Sequence, residues 1–424
     1  MKKILIISQN SLSLHANNGK TLTGIFDSWD ADDLAQIFFQ DEIPESKKFI
    51  NFYRIRDIDV MKSLIFKRRC LGGVISPKPT IVDHHQEKGK IYKGLIGFAK
   101  KFTKLKNVTR EFLYKNDRWN SSNLDAWILE FAPDAIFLVP SSYNFTYDIA
   151  LSIKKKFNIP IYVYYTDDFL GNDITNIPSS YKAKALEVMR LSSGRFVIGE
   201  EMARVYKERY KLDFSVLIHP IHIPKTTIPA ANIGKKDVIS IVYAGGLTLG
   251  RFSSLISFSK LINQSEIELN KKVLLKVCTG DIPSQKQVQE FNSHNVDFLG
   301  RLSSVEVDDL YKSADFLLHV ESDLDEYIKM TRLSVSTKIP ECLATGIGLI
   351  AYGPSEIASM KLIYENGIGF YIDSRADTSV SNNKLLEVLT GQENYRSTIE
   401  KGLEYARINF TSKVITSNLV GLIN

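Results

Sequence analysis

Short runs of consecutive apolar residues recur along the chain, bounded by Gly, Pro, Asn or Asp, with stretches of three-to-four-residue apolar spacing between them. Unbroken apolar runs of this length predict strands buried on both faces, and the longer spacing predicts amphipathic helices. In the first half KILIIS, AIFLV, IPIYVYY and GRFVIG read as strands, with helices over Tyr143–Phe157 and Tyr181–Ser192. A Pro-rich stretch from about Pro220 to Lys236 has little helical period and reads as a linker. The alternation then restarts: VISIVYAGG, VLLKVCTGD, VDFLG, ADFLLHV, GIGLIAYG and GFYID are strands, and Phe252–Ile262 is helical. From Ser397 to Asn424 the chain is helical without a strand of its own, and residues 408–424 are expected to pack back on the first domain. Two series of strand–helix units predict two doubly wound, Rossmann-like α/β domains facing a cleft. The boundaries read as 1–224, a linker over 225–237, and 238–407.

Composition narrows the class. At 424 residues the chain exceeds one ordinary core, and 44% hydrophobic with 24% charged residues is a globular balance. Cys70, Cys278 and Cys342 lie far apart, without metal-ligand or CxxC spacing, which fits reduced thiols in a cytoplasmic protein. The start, MKKILIISQN, is too short an apolar run for a signal peptide, and no run approaches a membrane span.

The net charge of +6 is uneven. Between Lys67 and Arg118 stand 14 basic and four acidic residues, a larger excess than that of the whole chain. Within it, Leu95, Ile96, Phe98, Ala99, Phe102 and Leu105 recur near helical spacing among lysines. Such a stretch, over 88–115, suits an anionic membrane surface; a basic solvated face with its apolar side on the core is the plainer reading. No nucleic-acid-binding motif accompanies the charge, so nucleic acid is not expected as a partner. His84 and His85 have no third partner and read as loop residues.

Ligands of doubly wound sheets bind beyond the carboxyl ends of the strands. Three places there carry candidate chemistry. AGGLTLGRFSS sets Gly245 and Gly246 after a strand and Arg251 at a helix start, which suits a phosphate. CTGD, with Gly280 and Asp281, ends the next strand and could line the same cleft, although an Asx turn has the same signature. In STKIPECLATGIGLIAYGP, Lys338 puts a positive charge at the positive end of a helix, in the poorer order before Glu341. A phosphate would explain that misfit, and Glu341 would accept from sugar hydroxyls.

AGGLTLGR, TGD, SADFLLHVES and STKIPECLATGIGLIAYGP, in that order, resemble the donor-side motifs of retaining GT-B glycosyltransferases of the group 1 (family 4) type. NNGK (Asn17–Lys20) and IYVYYTDD are similar to the weaker N-terminal features. The resemblance implies an acceptor-side first domain and a nucleotide-sugar donor domain second. It implies Arg251 and Lys338 on the donor diphosphate and Glu341 on the ribose. Gly245 and Gly246 would lie close to donor or acceptor, and Gly19 near the phosphates. No cofactor or metal is implied, the donor being a substrate. Retention implies front-face attack with a donor phosphate oxygen helping to take the acceptor proton; Asp167, in Thr166-Asp167-Asp168, is the candidate for orienting the acceptor hydroxyl. Two positions depart from the family: Leu333 stands where a second glutamate is frequent, and Ile256 where a lysine is common. The expected function is transfer of a sugar to a lipid-linked glycan during bacterial surface polysaccharide (capsule, cell envelope) synthesis at the inner face of the membrane. The alternatives are a non-catalytic partner subunit and a nucleotide-sugar epimerase.

Overall fold

The computed structural model describes residues 1–13, 17–46, 48–65, 72–77, 109–115, 117–171, 180–223, 236–294, 296–391 and 394–423. It divides into two compact units, Met1–Leu217 with Thr416–Asn424, and Ile218–Ile415.

The first unit holds β1 (Ile4–Ser8), β2 (Leu34–Phe38), β3 (Asn51–Arg54), β4 (Gly73–Val74), β5 (Ala135–Leu138), β6 (Ile161–Tyr165), β7 (Gly194–Val197) and β8 (Ser215–Val216). They form one sheet in the order β4-β3-β2-β1-β5-β6-β7-β8, parallel except for the β3–β4 edge. The apolar runs read as strands are β1, β5, β6 and β7; the first three are buried along their whole length, as helices on both faces require. The C-terminal segment is tied to this unit by backbone and side-chain hydrogen bonds. The Ile423 carbonyl accepts from Lys2 Nζ at 2.7 Å and Tyr162 Oη at 3.1 Å, and Thr416 Oγ1 donates to Ile25 O at 3.2 Å. Residues 408–415 stay with the second unit, where Ile221 pairs with Thr411.

The second unit holds β9 (Val238–Ala244), β10 (Lys272–Cys278), β11 (Val296–Gly300), β12 (Phe316–Val320), β13 (Gly348–Gly353) and β14 (Phe370–Asp373). Its all-parallel sheet runs β11-β10-β9-β12-β13-β14. Ile239, Ile241, Leu275, Val277, Phe316 and Ile350 fill its core with Leu255 and Phe258 of the helix Arg251–Leu269. Helix starts are fixed locally: Ser284 and Ser303 close capping boxes with Gln287 and Glu306. In both units the order reverses beside the first strand, between β1 and β5 and between β9 and β12. That is the switch point where doubly wound sheets open a crevice for a ligand. No helix among the described residues is long and apolar enough to cross a membrane. The linker over 224–235, His84, His85, Cys70 and the basic stretch up to residue 108 lie outside the described residues.

Candidate active site

In the second unit the site grows from the switch point. β9 ends at Ala244 and the chain turns through Gly245 and Gly246 into the helix that Arg251 opens. Two bonds shape that turn. Tyr243 Oη donates to Gly246 O at 2.6 Å, and Asp281 Oδ2 accepts from Leu247 N at 2.6 Å. Asp281 is therefore spent on the glycine turn, latching the loop after β10 to the loop after β9. Gly280 beside it has open space where a side chain would stand. Gly250 has φ +75°, and a Cβ there would lie 2.2 Å from Ser322 Oγ. Only glycine both adopts that angle cheaply and lets the helix begin against the end of β12.

That close approach brings Arg251 to Glu321, the residue after β12. Arg251 Nη2 donates to both Glu321 oxygens, at 3.1 and 3.3 Å, while the carboxylate side chain is only 3% exposed. Among the described residues Arg251 Nε and Nη1 have no hydrogen-bond partner. Burial pushes the Glu321 carboxyl up, but the guanidinium and His319 pull harder, and it stays below its ordinary value. Burial likewise opposes the Arg251 charge, and Glu321 more than restores it. His319 Nε2 lies 3.3 Å from Glu321 Oε1 without the alignment of a hydrogen bond.

Lys338 opens the short helix Lys338–Ala344 between β12 and β13. Its ammonium meets Glu341 Oε2 at 3.1 Å, so the i,i+3 order expected to be unfavourable closes an ion pair. This pair is open: the Lys338 side chain is 43% exposed and that of Glu341 18%. Glu341 Oε1 also lies 3.6 Å from the buried His219 Nε2. Burial pulls the Lys338 ammonium down, and the Glu341 carboxylate raises it above its ordinary value. At the end of β10, burial pushes the Cys278 thiol up, and a backbone bond at Leu302 and the Lys338 charge offset part of the rise. Cys342, beside the same ion pair, is pushed up by burial to about 12, so it is a thiol at neutral pH.

The two departures from the family pattern are core positions. Leu333 and Ile256 are buried, so a glutamate or lysine there would bury a charge. Glu321 stands 20 residues before Glu341, out of register with the glutamate position that Leu333 occupies. The signal was present in another form, as a carboxylate directly after a buried strand.

The first unit gathers a smaller group. Asn18 Nδ2 donates to Thr166 Oγ1 at 3.1 Å, which sets the start of the helix Asn17–Ile25 beside the loop after β6. Gly19 in that helix is demanded by its own neighbours, since a Cβ would lie 2.2 Å from Ser11 O. Asp167 is half-buried and accepts from Thr166 Oγ1 at 3.2 Å. Asp168 is buried and taken up by Tyr206 Oη at 2.9 Å and Arg209 Nη1 at 3.1 Å. Of the two aspartates, Asp167 is the less buried.

No family model matches the chain, and no curated protein matches it. Solved structures do. A UDP-forming α,α-trehalose-phosphate synthase from Burkholderia vietnamiensis superposes with TM-score 0.62 at 11% identity over 99% of both chains. An E. coli structure described as trehalose-6-phosphate bound with UDP-2-fluoro glucose gives 0.61 at 11% identity, again over 99% of both. WaaG, a glycosyltransferase involved in lipopolysaccharide biosynthesis, gives 0.57 at 13% identity over 99% of both. The chain thus has the GT-B fold of these proteins, two Rossmann-like domains in one polypeptide.

Proposed function

We propose that the chain is a glycosyltransferase taking a sugar from a nucleotide-diphospho-sugar. The observation that carries the reading is the placement of two cations, Arg251 and Lys338, at the carboxyl edge of the second sheet, each with donors to spare. Breaking the bond between the sugar C1 and the diphosphate oxygen leaves growing negative charge on the diphosphate. Fixed cations and backbone N–H groups at that oxygen stabilise the transition state more than the ground state. In this reading Arg251 and Lys338 hold the diphosphate without a metal, Gly245, Gly246 and Gly280 let it approach the backbone, and Glu341 takes the ribose. Transfer proceeds with retention: the acceptor oxygen bonds to C1 on the face the diphosphate leaves, and its proton passes to a donor phosphate oxygen. Asp167 orients the acceptor hydroxyl.

Among the similar structures, one holds UDP-2-fluoro glucose and another serves lipopolysaccharide biosynthesis. Both support a nucleotide-sugar donor and a glycan acceptor. We take the acceptor to be lipid-linked and the setting to be bacterial surface polysaccharide synthesis at the inner membrane face, with the basic stretch 88–115 on anionic lipid. The test is nucleoside diphosphate release from a panel of nucleotide sugars, with and without acceptor. Release that requires acceptor supports transfer, and acceptor-independent conversion of the donor supports an epimerase or hydrolase. No release from any donor supports a non-catalytic subunit, a reading that the buried Leu333 and Ile256 favour. Flotation with anionic vesicles that survives high salt unchanged, or fails at low salt, contradicts the membrane assignment.

A further inference from the structure

Arg251 is divided between the protein and a ligand. Its Nη2 is committed to both oxygens of Glu321, while Nε and Nη1 make no hydrogen bond to any described residue. Glu321 itself is held from three sides. Its N–H donates to Tyr352 O of β13 at 3.0 Å and its carbonyl accepts from Ser254 Oγ at 3.1 Å, while His319 of β12 packs 3.3 Å from its Oε1 without a hydrogen bond. The backbone end of Arg251 is fixed too, because Gly250 is pressed against Ser322, the neighbour of Glu321. A negative charge this close to an anion site opposes anion binding by simple Coulomb repulsion. Its presence there makes sense if orientation outweighs that opposition, since a planar guanidinium serves a phosphate only when its fork is correctly turned.

We infer that Glu321 is the positioning residue for Arg251, gripping Nη2 so that Nε and Nη1 are presented to the donor diphosphate. The inference rests on reading Arg251 as a diphosphate ligand. It also gives a role to a carboxylate that the family pattern does not supply at Leu333: Glu321 acts through Arg251 rather than on the sugar.

Orientation and charge make opposite forecasts. Glu321→Gln keeps the shape and removes the negative charge. If Glu321 only adds local charge, the variant binds an anion more tightly. If it positions Arg251, the variant binds more weakly. The probe is inorganic pyrophosphate, titrated calorimetrically into the full chain, which avoids needing to know the nucleotide. Glu321→Gln is expected to weaken pyrophosphate about tenfold, the scale of losing a partner that orients a ligand-binding group. Arg251→Lys is expected to bind as poorly as Arg251→Ala, because one ammonium cannot serve both Glu321 and the phosphate. In the Arg251→Ala background, Glu321→Gln is expected to weaken binding no further. Equal or tighter binding by Glu321→Gln, or wild-type binding by Arg251→Lys, overturns the inference while leaving the diphosphate reading intact. Wild-type affinity in Arg251→Ala, or no pyrophosphate binding by the wild type, overturns the diphosphate reading and the inference with it. Arg251→Lys leaves Glu321 with a cation, so it carries the test if Glu321→Gln fails to fold.

Discussion

Arg251–Glu321 and Lys338–Glu341 are both cation–carboxylate pairs at one edge of one sheet, with bonds of 3.1 Å. They differ in exposure: the Arg251 and Glu321 side chains are 21% and 3% exposed, those of Lys338 and Glu341 43% and 18%. A pair with a buried carboxylate cannot be opened cheaply, because that charge was stripped of water and depends on its cation. A half-exposed pair gains little by closing and gives up little when a ligand replaces one member. The first pair is therefore a fixed mount for a cation, and the second is a pair that a ligand can open. In this account the diphosphate meets one cation already oriented and one that turns to it, and Glu341 is freed toward the ribose as Lys338 moves.

The comparison can be broken at either pair. Arg251→Ala has the largest expected effect. Turnover with a nucleotide-sugar donor that the wild type uses falls by about 10²–10³, as on loss of one preorganised hydrogen-bond donor, measured by nucleoside diphosphate release. Stability falls with it, by about 3–5 kcal/mol in urea unfolding, because Glu321 is left as an unpaired buried charge. The pH dependence identifies the cause. The folded Glu321 carboxyl is held below its ordinary value, so the pair stabilises above the unfolded carboxylate value of about 4.3 and fades as pH falls through the folded one. Wild-type stability should thus decline below that pH, and Arg251→Ala should lose this part of the slope.

Lys338→Ala sharpens the contrast. Turnover falls by about 10²–10³ again, but the unfolding free energy changes by no more than about 1 kcal/mol, because the broken pair is half-exposed. An equal stability loss in both variants would erase the distinction between mount and movable pair. Glu341→Gln has the smallest expected effect: nucleoside diphosphate binding weakens about tenfold by calorimetry while the unfolding midpoint is nearly unchanged.

The strands without polar residues were legible in the sequence because burial on both faces leaves no alternation to confuse them. β2 was not. Its centre is Gln36, which is buried and satisfied by Leu12 N, Ser8 Oγ and Asn10 O, all near the end of β1. A glutamine reads as surface until the loop that answers it is known. β4 and β8 are two residues long, below the length at which an apolar run stands out, and β3, NFYR, is polar at both ends. The site divides the same way. Arg251, Lys338 and Glu341 follow local signals, a glycine turn and a helix start. Glu321 gains its meaning only because β12, distant in sequence, lies beside β9. Asp281 was legible as a residue beyond a strand, yet its bond to Leu247 N depends on the same kind of non-local neighbour.

The most direct measurement is the shift in thermal midpoint of the wild type and Arg251→Ala, side by side, across a panel of nucleotide-diphospho-sugars. A ligand that binds only the folded chain raises the midpoint as its concentration exceeds its dissociation constant. The expected result is that at least one donor raises the wild-type midpoint and that Arg251→Ala loses most of the rise. No rise with any donor, or an equal rise in both proteins, would contradict the account.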